Sequence, residues 1–344
     1  MNVGIIPETL LERVALWLGL VPVPVVDVLF GPLKARILMT GVSLGLFEAL
    51  RDRPRTPGDL ADALSLDPGG LELLARALSH VGYLEERGGR YRLSSLARHT
   101  LVRGAPMELS AYVRWNEIQW RFLGGLDGMV RTGCGVDFHG AMEDREAWGD
   151  YQRAMLELAR LDAPTLSRLV PIAKGATRLL DLGGAHGFLG AAICRRHPPL
   201  RSTVIDLPRA IEHGRALARE GGYADLVDYC ASDLLTDRFE ESDAALLSNV
   251  LHHLTSAQVV SVLDRLRGAL RRGGTVAIWE LEAPRREHAA GHGDLTALFF
   301  KLTSTSESQH GSQYANWLAA AGFSGIRVLR PKRSPSRVLV LARA

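Results

Sequence analysis

His252 and His253 close the stretch Ser248-Asn249-Val250-Leu251-His252-His253-Leu254, directly after an apolar run that reads as a β-strand. Imidazole is the usual proton acceptor near neutral pH, and the carboxyl end of a strand is where an α/β sheet places reactive groups. Glu280 ends a further apolar run, in Trp279-Glu280-Leu281-Glu282. A carboxylate there can accept a hydrogen bond from one ring nitrogen of His252 and raise the basicity of the other. On these residues alone, a histidine pair with a purely structural role ahead of a helix remains open.

A second constellation binds rather than reacts. Asp181-Leu182-Gly183-Gly184-Ala185-His186-Gly187 follows the apolar run Arg178-Leu179-Leu180 and precedes a helix expected from Phe188 to about His197. Glycines at Gly183, Gly184 and Gly187 allow positive φ and bring ligand against bare backbone, and the helix N-terminus can receive an anionic group. A dinucleotide fingerprint counted from Gly183 would need glycine at Ala185 and Phe188. Asp181 would repel a pyrophosphate and hold an ammonium. The pattern therefore fits the amino-acid end of S-adenosylmethionine (SAM) better than NAD.

Three more positions extend that pocket. Ser202-Thr203-Val204-Ile205-Asp206 reads as the next strand and ends in a carboxylate suited to the ribose hydroxyls, with Leu207 beside it. Asp233 in Ala231-Ser232-Asp233-Leu234 can hold an adenine amino group while Leu234 covers the ring, although a lone loop aspartate is as readily a turn residue. Ser248, at the end of the fourth strand, is assigned to the same pocket. The competing reading of the first motif is an ordinary strand-turn-helix whose glycines only shape the turn. His288, His292 and His310 lack a tight acid cluster, so no metal is expected.

The elements that must position these groups follow from periodicity. From Arg178 onward strands alternate with helices: Arg178–Leu182, Arg201–Asp206, Val227–Ala231, Ala244–Asn249, Thr275–Leu281, Ile326–Arg330 and Arg337–Ala342, with helices notably at Ala210–Glu220, Ser256–Leu270 and Gln313–Ala321. Such alternation means an α/β, doubly wound, mostly parallel sheet with ligand at the carboxyl ends of its strands. Lys34–Leu50 has helical spacing, with Gly41 and Gly45 allowing a neighbour close. Helices then start at Thr56 and at Asp67-Pro68, and a hairpin turns at Gly88-Gly89. This is a winged-helix order. Its candidate recognition helix offers only Arg76 and His80 against Asp67 and Glu72, with Gly69, Gly70 and Leu71 at the start, which speaks against nucleic acid.

The spacing divides the chain into 1–104 (an N-terminal arm and winged-helix module), 105–170 (a helical connector rich in aromatics, most read as core and a minority as candidates for lining an apolar substrate cavity) and 171–344 (the cofactor-binding domain). At 344 residues with 47% hydrophobic content, burial is not limiting; a net charge of +3 with no long basic run argues further against a nucleic-acid partner. Cys134, Cys194 and Cys230 have no paired or metal-binding spacing and read as reduced thiols of a cytoplasmic protein. Val14–Phe30 is apolar, but Pro22, Pro24 and Asp27 interrupt it, so no membrane span or signal peptide is expected.

Taken together these residues resemble the plant and bacterial small-molecule O-methyltransferases of the caffeate type, over nearly the whole chain from about Lys34. Ser43-Leu44-Gly45-Leu46-Phe47-Glu48-Ala49-Leu50 is similar to the family's LGLFDAL helix, and Thr56–Leu93 to its winged-helix dimerisation module. Trp120 with Arg131-Thr132-Gly133 is similar to a W..L...RTG segment, and Asp181–Gly187 to the first SAM motif. Asp206-Leu207-Pro208 resembles DLP, Ser232-Asp233-Leu234 resembles GDF, Val250-Leu251-His252 resembles VLHDW, and Gly273–Glu280 resembles GG.vvi.E. The resemblance implies a Rossmann-like SAM domain behind a dimerisation domain, a homodimer, and His252 as base oriented by Glu280. The implied reaction is methylation of a phenolic or enolic hydroxyl on an apolar aromatic secondary metabolite.

Three departures stand out. Ala185 replaces the central glycine, and His253-Leu254 replaces the DW after the base. Ser308 falls where the family's second acid belongs, with Glu307 one residue away. They keep open a SAM-dependent enzyme that methylates carbon or catalyses a rearrangement or decarboxylation, and, from another class, a SAM-sensing DNA-binding regulator.

Overall fold

The structure is a computed structural model that describes residues 7, 9–136, 145–283, 292–304 and 309–344; its contacts divide the chain into two units, Met1–Glu117 and Ile118–Ala344. In the first unit, Thr56 and Asp59 form a reciprocal capping box that starts the helix Pro57–Leu64. The Asp67 carboxylate accepts the Gly70 N–H at 2.7 Å and starts Pro68–His80. Strands β1 (Leu84–Arg87) and β2 (Arg90–Leu93) pair antiparallel around Gly88 and Gly89, both at positive φ as a two-residue hairpin requires. Leu46, Phe47, Leu60, Leu71, Leu78, Leu84 and Tyr91 make the core of this unit.

Two expectations change here. Gly41 does permit a close approach, since a Cβ would stand 3.0 Å from Leu78 Cδ1, whereas Gly45 supplies a left-handed turn (φ 75°) between helices. The apolar arm forms two helices, Leu10–Trp17 and Val23–Ser43, with the interruption at residues 18–22 ending on Pro22, the cap of the second helix, while Pro24 and Asp27 lie within that helix. Pro24 lies in a first helical turn, where its missing N–H costs nothing, and Pro32 is carried inside the helix. Leu10, Leu11, Trp17 and Val28 of these helices are each more than 75% exposed. No helix among the described residues is long and apolar enough to cross a membrane. On Pro68–His80 the exposed face presents Glu72, Leu73, Arg76 and His80, a poor surface for phosphates.

In the second unit the seven-stranded sheet runs β5-β4-β3-β6-β7-β9-β8. Its strands are β3 (Arg178–Leu182), β4 (Arg201–Asp206), β5 (Val227–Ala231), β6 (Ser242–Ser248), β7 (Leu270–Leu281), β8 (Ser324–Leu329) and β9 (Arg337–Arg343). Neighbours from β5 to β7 are parallel, and β9 runs antiparallel to both β7 and β8. Both faces are covered, so the strands carry apolar residues at successive positions: Val276 and Ile278 join one core cluster, Ala277 and Trp279 the other. The chain passes from β3 to β4 on one side and to β6 on the other, which puts a ligand crevice at their carboxyl ends.

Boundaries shift for identifiable reasons. β6 stops at Ser248 because Asn249 takes a left-handed φ of 53° and turns out of the ladder. β7 begins at Leu270, five residues before the expected Thr275, and pairs Ser242 through a bulge. The helix Ser256–Ala269 is capped by Thr255 with Gln258 in a capping box.

Candidate active site

The turn after β3 holds Gly183, Ala185 and Gly187 at φ of 66°, 50° and 72°. Protein atoms already occupy the space that side chains would need. A Cβ on Gly183 would stand 2.5 Å from Val250 Cγ2, and one on Gly184 2.5 Å from Asp181 Cγ. These glycines let the turn close on its own neighbours as well as on a ligand. Ala185 accepts the left-handed conformation at a cost of about 1–2 kcal/mol, and its N–H donates to Asp206 Oδ2 at 2.9 Å.

Asp181 is 1% exposed, and among the described residues neither carboxylate oxygen has a hydrogen-bond partner. Burial pushes its carboxyl up to about 7, and the Asp206 carboxylate adds to the rise; the Gly190 backbone N–H offsets it without standing in hydrogen-bond geometry to either oxygen. Asp206, at the end of β4, accepts the N–H groups of Ala185 and of Leu207 at 2.9 and 2.7 Å, and burial raises its carboxyl as well. Leu207 beside it is 48% exposed. Asp233 is exposed and accepts the Leu235 N–H at 2.8 Å, so the turn role is real at this position. Leu234 packs half-buried at the edge of the core, and Ser248 Oγ, nearly buried, accepts from Asn249 Nδ2 at 3.3 Å.

The second cluster is tighter. Glu280, fully buried on β7, accepts the Val250 and Leu251 N–H groups at Oε1 (2.9 and 2.8 Å) and sits 2.9 Å from His252 Nδ1 through Oε2. A buried carboxylate is costly unless every lone pair finds a donor, and here three donors converge on it. A carboxylate at Nδ1 favours the tautomer protonated there, which leaves the lone pair on His252 Nε2. Residues 251–253 form a single 3-10 turn that holds His252 at 5% exposure. Its ring lies 4.1 Å from the His253 ring and 4.8 Å from the Phe300 ring, centroid to centroid.

Several contributors carried no signal in spacing. His186 is buried, and burial pushes its imidazole down to about 4 against the support of the Met155 backbone; Nδ1 accepts the Phe188 N–H at 3.1 Å. Its carbonyl oxygen stands 3.1 Å from Tyr223 Oη and 2.9 Å from Tyr229 Oη, which pins the glycine turn from two distant elements. Tyr151, on the helix Arg145–Leu169, feels the Asp206 carboxylate as well as its own burial, both raising its hydroxyl pKa. Phe300 belonged to an apolar triplet, Leu298-Phe299-Phe300, that sequence alone could not orient. Glu307, Ser308 and His288 lie outside the described residues, as does the side chain of His292. His310 precedes the helix Gly311–Ala320 as its cap residue. Among the described residues no group of three or more His, Cys, Asp or Glu side chains is arranged to hold a metal ion.

The site thus gathers the carboxyl ends of β3, β4, β6 and β7. An orphaned buried carboxylate at Asp181 fits an ammonium, Asp206 keeps lone pairs beyond its two backbone donors, and the exposed Leu207 offers apolar surface for a base. This chemistry fits SAM, and fold and site together define a SAM-dependent methyltransferase. Comparison with known proteins narrows the class. Residues 115–324 match the O-methyltransferase domain family, and residues 26–103 match the O-methyltransferase dimerisation domain. The 3-hydroxy-5-methyl-1-naphthoate 3-O-methyltransferase of Streptomyces sahachiroi is 30% identical over 90% of this chain and 91% of its own. The N,N-dimethyltransferase OxyT of Streptomyces rimosus is 32% identical over 72% and 75%. The crystal structure of human N-acetylserotonin methyltransferase in complex with SAM superposes with a TM-score of 0.84 at 19% identity, covering 98% of both chains. The chain belongs to the O-methyltransferase family, as an enzyme that uses SAM.

Proposed function

We propose that this enzyme methylates a phenolic or enolic hydroxyl on an apolar, aromatic secondary metabolite, with His252 as general base and Glu280 as its orienting carboxylate. The observation that carries the reading is the buried Nδ1–Oε2 contact of 2.9 Å, which leaves Nε2 free to accept a proton. The naphthoate named for the Streptomyces sahachiroi relative supports an aromatic acceptor, and Phe300 beside His252 supplies a ring face for one.

When bound, SAM supplies an already activated methyl group. The chain's own groups then have three tasks: hold the cofactor, align the acceptor oxygen and remove its proton. Asp181 holds the ammonium, and Asp206 the ribose hydroxyls. Leu207 and Leu234 flank the adenine, Asp233 receives its amino group, and Ser248 borders the pocket beside Gly183, Gly184 and Gly187. His252 Nε2 takes the hydroxyl proton, and the Glu280 carboxylate stabilises the imidazolium that forms.

We assign the connector, 105–170, to the acceptor cavity, a reading supported by its aromatic side chains and by Tyr151 lying near enough to Asp206 to feel its charge. A homodimer is supported by the matched dimerisation domain and by the exposed apolar side chains of the first two helices. The three cysteines are all free, which supports a cytoplasmic setting.

The test is release of S-adenosylhomocysteine from SAM, followed by mass spectrometry against a panel of phenols, naphthols, hydroxynaphthoates and aromatic amines. Signal from a hydroxylated aromatic that disappears in His252→Ala supports the reading. Turnover confined to amines, or undiminished in His252→Ala, overturns it.

A further inference from the structure

The turn that presents His252 is held from a second side, by an ion pair outside the base and its carboxylate. Asn249 leaves β6 in a left-handed conformation (φ 53°), one that L-residues seldom adopt and asparagine tolerates best. Its N–H makes the last backbone bond to β7, donating to the Trp279 carbonyl at 3.0 Å. Its side-chain Oδ1 accepts from Arg337 Nη1. Arg337 opens β9 directly opposite Leu281, one residue beyond Glu280.

The guanidinium is itself anchored. Its Nη2 lies 2.7 Å from Asp162 Oδ2 on the helix Arg145–Leu169, and both side chains are 11% exposed. The same carboxylate oxygen accepts the Trp279 indole N–H at 3.1 Å. Arg337 therefore bridges a helix, β9 and the turn before His252 through a rigid planar fork, a task that lysine's single ammonium does not perform. Val250, next in the turn, packs where a Cβ on Gly183 would stand. A shift at Asn249 thus moves the base turn against the cofactor turn.

We propose that Arg337 is a positioning residue for methyl transfer: through Asn249 it sets where the turn places His252 relative to the glycine turn that carries the cofactor. The inference rests on His252 being the base. Asp162 and Trp279 are its anchors, and Arg337 itself touches neither reactant.

Four single variants and one double variant test it. Asn249→Gly keeps the left-handed backbone accessible and removes the acceptor. Asn249→Asp keeps the acceptor and strengthens it. Arg337→Lys keeps a cation for Asp162 but loses the fork. His252→Ala is the reference. We expect kcat to fall about 10- to 100-fold in Asn249→Gly and in Arg337→Lys, since misplacing a reacting group by about 1 Å costs on that order. Acceptor KM and SAM dissociation constant should stay within about twofold, and Asn249→Asp should retain near-normal kcat. The double variant Arg337→Lys/Asn249→Gly should lose no more than either single one, because both break one contact. A normal kcat in Asn249→Gly overturns the proposal. So does a kcat loss that tracks melting temperature across all variants, Asn249→Asp included. Full activity in His252→Ala would instead remove the base assignment beneath it, which separates the two failures.

Discussion

Two buried carboxylates stand on β3 and β7, the strands that flank β6, and are treated in opposite ways. Glu280 is fully buried and receives two backbone N–H groups and an imidazole. Asp181 is 1% exposed and receives no hydrogen bond from the described residues. The first is complete within the protein, so the His252 ring, the base of the proposed function, is oriented before any ligand arrives. The second is left unsatisfied, and burial, with the Asp206 carboxylate adding to it, pushes its carboxyl up to about 7. An unpaired buried carboxylate costs stability, and a ligand cation that satisfies it gains affinity from the relief. Under the proposed assignment, preorganisation sits at the reacting group and the unmet demand where the cofactor's ammonium would bind.

The comparison breaks most visibly at the satisfied carboxylate. Glu280→Gln keeps an acceptor for the Val250 and Leu251 N–H groups but turns an amide donor toward His252 Nδ1. That donor favours the tautomer protonated at Nε2, which is no base. We expect kcat to fall roughly 10²- to 10⁴-fold with the fold intact, and His252→Ala to fall as far while SAM binding by calorimetry changes little. A Glu280→Gln enzyme with wild-type turnover would separate this carboxylate from the chemistry.

Next comes the pH dependence at Asp181. Between about pH 4 and 7 the folded chain binds a proton that the unfolded chain has released. Stability therefore falls as pH rises through that window, with a slope approaching about 1.4 kcal/mol per pH unit, and levels off above it. Asp181→Asn should flatten that limb in urea titrations of the cofactor-free protein and weaken SAM binding at pH 8. An unchanged slope would mean that Asp181 has partners we have not identified.

Smaller effects sharpen the contrast. Asp206→Ala removes a carboxylate that also receives the Ala185 and Leu207 N–H groups, and should weaken SAM binding about 10- to 100-fold, the worth of one or two charge-assisted hydrogen bonds. Unaltered affinity by calorimetry would sink the ribose assignment. Ala185→Gly relieves a left-handed alanine at the expense of a more flexible unfolded chain. A net gain of about 0.5–1 kcal/mol in chemical denaturation is expected, with kcat unchanged. Destabilisation there would show that the methyl group packs usefully.

Much of the site was legible because its signals are local. An apolar run ending in Asp181 and a glycine turn, a second run ending in Asp206, and His252 after a third each lie within a few residues of the strand that carries them. Capping at Thr56 and Asp67 and the Gly88-Gly89 hairpin were readable for the same reason, since each bond spans only a few residues. In the arm Pro22 marks a real interruption, whereas Pro24 does not, because a proline in a first helical turn costs the helix no hydrogen bond.

What the sequence determined by itself, then, was which residues end strands and which turns need glycine, because backbone sterics and side-chain periodicity act over one or two turns of chain. Tertiary structure alone decided which strand ends become neighbours. The order β4-β3-β6-β7 brings Glu280 to His252. It also let Tyr223 and Tyr229 reach the His186 carbonyl and Arg337 reach Asn249. Those contacts span 28 to 88 residues of sequence, and no periodicity encodes them. They exist because a closed, buried sheet must satisfy each polar group with whatever donor or acceptor the strand order places beside it.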